Sequence, residues 1–486
     1  MDTSFLKTVK YINDPVYGGI PLTQIEVDII SLPIFQRLRG LRQLARVNYV
    51  FPGAEHSRFV HSLGVLYIMG LMTDHLLKED YINPEDAVKM RVAALLHDIG
   101  HYPLSHLGET VYGYCKDNNK IAPGIIEGLD VETSEKLPLY ELISSHSKSA
   151  HHEQLGKYIV THHEGILNIL EKYRLDPNEI AEIFTGEIGS RNMVYSQLLH
   201  SSFDADRLDY LLRDSYQTGV RYGLVDLQYL IRLLMVVPGS GLGLNGNVLA
   251  CNKKGQHVVE HFLMSRYFHY SQVIFHKTNA AFEGMIKAMY IKLLMAHGFM
   301  YNSLDEIHQG VNEYKFLNFN DSNLEVAFQE YYERTEDSNY KSLYRMYIER
   351  KRPKVVFEMK DLYEDSAQPT FSVLKWELKR SPEKITEIIG HNQWGYQIVP
   401  ISIEKIQSSY PLTEGTAKHE EDLREAVKLY NPDSGEISYL ATDKLSVICK
   451  LANSKSEFIR IFMLDQGESL DDFDRIKHEI NGLIQL

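Results

Sequence analysis

Apolar residues recur at three- and four-residue spacing over Ile25–Leu44, with Pro33 where a helix would start. The same period runs through Phe59–Lys78, Pro84–Asp98, Glu153–Thr161, Ile166–Tyr173, Asp176–Phe184 and Phe203–Ser215. Another stretch runs from Val258 to His297 without a proline. Each forms one apolar stripe, which predicts an amphipathic helix. Ahead of them, Tyr11–Leu22 is turn-rich: Asn13-Asp14-Pro15 and Gly18-Gly19 separate short β-like pieces.

The pattern changes after about Ser338. Strands are predicted at Lys354–Leu362, Phe371–Glu377, Gln397–Ile401, Ser438–Leu440, Leu445–Leu451 and Phe458–Met463. Leu470–Ile484 reads as a closing amphipathic helix. The polar and aromatic Leu304–Asp337 region shows no assignable period. The expected fold is mainly α: a helical body over residues 1–337 with a turn-rich start, and a smaller α+β region over 338–486.

Composition narrows the function classes. The chain has 486 residues, 44% apolar and 24% charged, ample for a core that needs neither disulfides nor a structural metal. Its 3 cysteines are too few for a disulfide framework or a zinc ribbon, so a reducing, cytoplasmic compartment is expected. No run reaches 18 apolar residues and the N-terminus lacks a signal-like apolar stretch, so no membrane span is expected. The net charge of −14 argues against a broadly basic nucleic-acid-binding surface. It leaves room for a local basic pocket, and single-stranded nucleic-acid binding stays open.

The histidines are unevenly placed. Eleven of the 21 fall between His56 and His163, under a quarter of the chain. Imidazole near neutral pH serves as metal ligand, acid or base, although a His-rich surface would give the same count. Within the cluster, the apolar run Ala93-Ala94-Leu95-Leu96 delivers His97 and Asp98 side by side, with His101 one turn on. Arg58 and His61 share a helix face, being three apart. Asp206, Tyr210, Arg213 and Asp214 fall at i, i+4, i+7 and i+8 on another helix. His61, His97, Asp98 and Asp206 therefore make a candidate divalent-metal site, whose imidazole and carboxylate donors suit Fe, Mn, Zn, Co or Ni. Arg58, Arg207 and Arg266 suit bidentate phosphate contacts. Any one of these pieces alone is most often a helix-face ion pair. Together they place ionisable groups against strongly apolar runs, where unpaired burial is costly. His106 with Glu109 three residues on, and His151-His152-Glu153 at a helix start, form a second tier, although an ordinary capping cluster would also explain His151.

These residues, in this order, resemble the HD-domain superfamily of metal-dependent phosphohydrolases. The blocks Phe35–Leu44, Tyr49–Ala54, Arg58–Gly64, His97–His106 and Asp204–Tyr210 resemble more closely the deoxynucleoside triphosphate (dNTP) triphosphohydrolases. That group includes the vertebrate SAM- and HD-domain enzymes and bacterial relatives. The similarity covers about residues 7–290 and continues weakly beyond; no SAM domain is expected, the chain starting at the HD part.

The resemblance implies hydrolysis of a dNTP to a deoxynucleoside and inorganic triphosphate by metal-activated water attacking the α-phosphorus. It implies His61, His97, Asp98 and Asp206 as ligands, with Mg accompanying the substrate phosphates. It places His101, His152 and Glu153 at the α-phosphate network, and His106 with Glu109 (Asp in the family) as proton donor to the leaving oxygen. Arg58, Arg207 and Arg266 match triphosphate contacts, Tyr210 and Asp214 the sugar 3′-hydroxyl, and Gln43 and Leu44 the sugar side. Lys10, Asn13, Gln36 and Arg39 match a regulatory site for an activator nucleotide between subunits of a dimer or tetramer. Two positions depart from the vertebrate pattern: Ser31 replaces an Asp that reads guanine, and Ile274 a Tyr that helps exclude ribose. Two alternatives stay open: a phosphohydrolase or phosphodiesterase acting on another nucleotide, and a catalytically silent nucleotide sensor using the same pocket.

Overall fold

A computed structural model describes residues 6–117, 139–144, 152–187, 193–296, 298–364, 369–391, 393–402, 424–451, 454–464 and 469–484. The chain is mainly α, with small sheets. At its centre lies the 21-residue helix Arg58–Lys78, which packs along Pro84–Leu96 and Ala205–Thr218. This helix is long and apolar enough to cross a membrane by length and composition, yet most of it is buried inside the protein. It carries the buried polar side chains Arg58 and His61. Gly70 lets it approach its neighbour: a Cβ there would lie 2.2 Å from Arg91 Nη1.

The turn-rich start is an antiparallel hairpin, β1 (Lys10–Asp14) with β2 (Gly18–Leu22). Its tight turn is bonded by Asp14 Oδ1, which accepts from the backbone N–H groups of Val16 and Tyr17. The helical body also holds a hairpin that no apolar alternation announces: β3 (Leu234–Pro238) pairs with β4 (Asn247–Asn252). Strand β7 (Lys428–Asn431) adds to it in parallel, followed by β8 (Glu436–Tyr439). A second sheet has the order β5 (Lys354–Glu364), β9 (Ser454–Met463), β6 (Trp394–Ser402), all antiparallel. Its face packs on Leu374, Leu378, Ile385, Ile389, Ile476 and Ile480 in a separate apolar cluster.

Four expected elements differ. Ile25–Leu44 is broken: Gln24–Ile30 ends before extended Leu32, Pro33 opens a short helix at its first position, and Arg37–Gly40 is a 3-10 turn. Val258–His297 divides into Gln256–His269 and Lys277–Ala296, separated by a π-helical turn at Tyr270–Ile274. Phe371–Glu377 is no strand but part of the helix Pro369–Arg380. Leu374 and Leu378, four apart, are buried while Trp376 is exposed, so the helical period wins over the apparent alternation. Leu445–Leu451 is no strand either: Ser446 Oγ accepts from the N–H groups of Ile448 and Cys449 and starts the helix Val447–Leu451. Within Leu304–Asp337 lie the helices Leu304–Gly310 and Asp321–Arg334.

Candidate functional site

Three helix ends converge. Arg58 and His61 stand in the first turn of Arg58–Lys78, where Ser57 is extended and Arg58 N–H donates to Leu41 O at 2.8 Å. His97 is the C-cap of Pro84–Leu96, and Asp98 follows it into a tight turn. Asp206 lies in the first turn of Ala205–Thr218, capped by Asp204, whose carboxylate accepts from Arg207 N–H. His61 Nε2 comes within 3.0 Å of Asp206 Oδ1 and 3.7 Å of Asp98 Oδ2. His97 Nε2 comes within 3.4 Å of Asp98 Oδ1 and 3.8 Å of Asp206 Oδ1. The four expected ligands thus meet around one centre.

The far side of each imidazole decides what the near side offers. His97 Nδ1 lies 2.8 Å from Ala94 O, and a carbonyl only accepts, so Nδ1 carries the proton. His61 Nδ1 lies 2.7 Å from Asp209 Oδ2, the carboxylate–histidine pairing that orients metal-bound imidazoles. In the neutral rings both Nε2 atoms then present lone pairs toward the carboxylates, and both are buried. Two inward lone pairs beside two carboxylates fit a divalent transition ion. The electrostatics agree. Burial opposes charge on His61, yet Asp206, Asp209 and Asp98 together lift its pKa to about 10. Burial likewise opposes ionisation of Asp98, but Arg58, His97 and His101 hold its carboxyl well below the usual range. The centre attracts positive charge.

Asp209 is itself held from several sides. Tyr17 OH donates to its Oδ1 at 2.7 Å, and Arg213 donates through Nε and Nη2 at 2.9 and 3.1 Å. Arg213 Nη1 continues to Asp14 Oδ2 at 2.8 Å, joining the hairpin to the site. Gly64 leaves room for this pair, since a Cβ there would stand 1.9 Å from Asp209 Oδ1.

Beside the centre, Arg58 donates through Nη1 to Asp98 Oδ2 at 2.6 Å and through Nε to Ser105 Oγ at 2.7 Å. His101 Nε2 stands 3.0 Å from Asp98 Oδ1, and its Nδ1 stands 3.0 Å from Glu109 Oε1. His106 Nδ1 and His152 Nδ1 approach the same oxygen at 3.3 and 3.2 Å. The turn carrying these groups is fixed by buried Arg37, which donates to Ile99 O and His101 O. Leu104 and Ser105 adopt φ of 62° and 55°, left-handed conformations uncommon outside glycine and costly to hold. Gly100 admits the helix His152–His162: a Cβ there would lie 2.2 Å from His152 O. Burial lowers the charge on His101, with help from Arg58 and His152, to a pKa of about 3. Burial also disfavours charge on His152, but Glu109 leads the carboxylates that lift it to about 9.

A second group lies along the Ala205–Thr218 and Gln256–His269 helices. Asp214 Oδ1 is 2.7 Å from His56 Nε2, and its Oδ2 is 3.0 Å from His269 Nε2. Tyr210 stacks on His269. Tyr210 OH, Arg266 Nε and Nη1, and Gln43 Oε1 are all buried without a hydrogen bond. Gln43 is tied to this wall by its N–H, which donates to His56 O at 3.0 Å. So many orphaned polar atoms in one protein wall call for a polar ligand.

Other expected residues lie apart. Arg207 is bound to Asp204 and to Ser201 O. Glu153 faces His200 at 3.8 Å rather than the Glu109 cluster, and His200 Nε2 reaches Glu425 at 3.3 Å. Leu44 is a partly buried residue against the core. Lys10 and Asn13 are exposed on β1. Arg39 Nε donates to Gln36 Oε1 at 2.7 Å, and its guanidinium lies 3.6 Å from the Phe59 ring centroid. Ser149–His151 lie outside the described residues. Sequence reasoning missed Asp209, His56, His269, His200 and Glu425. Asp209, three residues after Asp206 on the same helix face, was within reach of the i,i+3 rule; Glu425, over two hundred residues away, was not.

Residues 58–211 match the HD domain family model. The uncharacterized protein YwfO of Bacillus subtilis is 32% identical over 282 residues, 57% of this chain and 54% of that protein. The Dictyostelium discoideum homolog of deoxynucleoside triphosphate triphosphohydrolase SAMHD1 is 30% identical over 288 residues, 59% of this chain and 49% of its own. The matches with such relatives span about half of their length. A crystal structure of a hypothetical protein from Aquifex aeolicus shares the fold, with a TM-score of 0.65 over 97% of this chain and 99% of that one at 21% identity. Residues 58–211 thus match the HD domain model, and about half of the chain is similar to proteins named dNTP triphosphohydrolases or homologs of one.

Proposed function

We propose that the chain is a metal-dependent phosphohydrolase that cleaves a dNTP to its deoxynucleoside and inorganic triphosphate. The observation that carries the reading is the pair of inward Nε2 lone pairs on His61 and His97, facing Asp98 and Asp206 and fixed from behind by Asp209 and Ala94 O. A divalent ion bound there supplies a Lewis acid that makes water a nucleophile and offsets phosphate charge.

The protein groups divide the remaining work. Arg58 and unpartnered Arg266 hold the triphosphate, and Arg207 joins them on leaving Asp204. His101 and His152 face the α-phosphate, and Glu153, beside His200, joins their network once substrate is bound. His106, 71% exposed at its side chain, is anchored through Nδ1–H at Glu109, so that in its doubly protonated form its Nε2–H can protonate the departing oxygen and leave the neutral ring. Asp214 and Tyr210 receive the sugar hydroxyl, with Gln43 and Leu44 beside them. Similarity supports the substrate class: relatives from zebrafish, human, chicken and Dictyostelium are called dNTP triphosphohydrolases or homologs of one. Assembly into dimers or tetramers and activation by a nucleotide at Lys10, Asn13, Gln36 and Arg39 belong to the same proposal, as does a boundary near residue 337.

The test is incubation of the metal-loaded protein with each dNTP, singly and mixed, with product identification. Inorganic triphosphate and deoxynucleoside are expected. Faster cleavage of ribonucleotides or cyclic dinucleotides would reassign the substrate, and no turnover under any metal and nucleotide would sink the reading.

A further inference from the structure

The π-helical turn at Tyr270–Ile274 interrupts the helix just after Arg266. Such turns occur mostly as single interruptions, often beside functional sites. Phe275 N–H reaches back to Tyr270 O at 2.8 Å, and side chains take the carbonyls that follow. Asn279 Nδ2 donates to Ile274 O at 3.1 Å, and Arg460 Nη1 donates to Phe275 O at 2.6 Å. Asn279 lies in the next helix, whereas Arg460 comes from β9 of the second sheet, 185 positions away.

The sheet alone does not account for where this guanidinium points. Arg460 is buried, and it stands across the sheet from Glu358 on β5 and Gln397 on β6. Its Nε donates to Glu358 Oε2 at 2.6 Å, which balances its charge. Gln397 Oε1, an acceptor within the sheet, stays buried without a hydrogen bond while Nη1 leaves for the π-turn. An unmet buried acceptor is costly, so the outward bond is favoured over a nearer economy. Phe458, two residues earlier on the same face of β9, packs on Tyr267 and Phe275. Its ring centroid lies 4.8 Å from the Arg460 guanidinium. An apolar contact and a charged hydrogen bond thus grip one turn.

The grip passes to Arg266 through the main chain. Arg460 holds Phe275 O, Phe275 N–H holds Tyr270 O, and Tyr270 N–H donates to Arg266 O. Tyr270 also sets its ring centroid 5.8 Å from the Arg266 guanidinium. Arg266 Nε and Nη1 are buried without a hydrogen bond, so the backbone and this ring decide where the guanidinium stands.

We propose that Arg460 is a positioning residue for the phosphate end of the pocket: through Phe275 O the C-terminal sheet fixes the π-turn, and the turn sets Arg266 where a triphosphate arrives. This role rests on the phosphate contact given to Arg266 under the proposed activity, and it is independent of which bond is cleaved.

The test is a double-mutant cycle on the metal-loaded full chain, read as affinity for inorganic triphosphate by calorimetry. Circular dichroism checks the fold and elemental analysis the metal. Arg460→Met should weaken binding about five- to tenfold at unchanged metal content. Added to Arg266→Met, it should cost less than about a further twofold, because the strut then has no guanidinium to place. A merely structural Arg460 would lower stability without this coupling. Affinity within twofold of wild type in Arg460→Met, or the same loss with and without Arg266, overturns the role. Should Arg460→Met not fold, Arg460→Lys enters the same cycle under the same criteria, keeping a cation beside Glu358 without the forked geometry. A wild-type chain that binds no triphosphate overturns the phosphate contact of Arg266 and the role of Arg460 together. Coupling of Arg460 to Arg266 without hydrolysis of any dNTP upholds the role and overturns only the proposed reaction.

Discussion

Gly64 and Asp209 are in such close approach that a Cβ on Gly64 would stand 1.9 Å from Asp209 Oδ1 and 2.3 Å from Arg213 Nη2. The glycine is therefore part of how His61 is held, although it touches no candidate ligand atom. Gly64→Ala must push the Asp209–Arg213 pair aside. We expect a loss of about 1–3 kcal/mol in chemical unfolding, typical of overpacking, together with weaker metal binding. Unchanged stability and unchanged metal affinity would mean that the pair moves freely.

Asp209 itself can be tested without a steric change. Asp209→Asn keeps the shape but removes the anion that fixes the His61 proton on Nδ1. Metal affinity at the HD centre should fall about 10–100-fold, as for other partners of ligating histidines. Competition with a chelator measures it, and an affinity within twofold of wild type refutes the orienting role.

Arg266 gives the opposite balance. Its Nε and Nη1 are buried without partners, so it contributes little to the fold as it stands. Arg266→Met should leave the melting temperature equal or higher, because an unpaired buried cation is replaced by an apolar chain. Triphosphate binding, followed by calorimetry, should weaken by about 1.5–3 kcal/mol, the range for a charged hydrogen bond. A large drop in melting temperature with unchanged binding would make Arg266 structural.

Acid and base should act on the metal-stripped protein through different histidines. His152 has its folded pKa raised to about 9, so the folded state binds more protons than the unfolded state above about 6.5. Its contribution is complete below that pH and is lost as pH rises through about 9. His101 is depressed to about 3, so its contribution is complete above about 6.5 and is lost as pH falls toward 3. His152→Gln should flatten the alkaline limb of a stability–pH curve and leave the acid limb. An unchanged alkaline limb would contradict the assignment.

How much of this was legible in the sequence depended on the range of the cause. Leu470–Ile484 is a helix over its whole expected length, because its stripe and its ends are local. Phe59–Lys78 lacked only Arg58. The four residues His61, His97, Asp98 and Asp206 could be grouped because adjacent polar groups inside apolar runs are conspicuous. The Pro369–Arg380 helix was misread because several of its apolar residues also fit a two-residue alternation. The break at Tyr270–Ile274 left no proline or glycine to mark it; Asn279, which donates to Ile274 O across the gap, shows itself only in three dimensions. Asp214 was found, but its flanking His56 and His269 sit 158 and 55 positions away and share no spacing rule with it.

The hairpin has a role that its small size hides. From Asp14 the contacts pass through Arg213 to Asp209 and on to His61, with Tyr17 as a second rope to the same carboxylate. Whatever firmness the ion gives to His61 is shared backward along that line, and by reciprocity an ordered hairpin must tighten the grip on the ion. Slow amide exchange at Ile12, opposite Ile20, would thus serve as a distant gauge of whether the metal is in place.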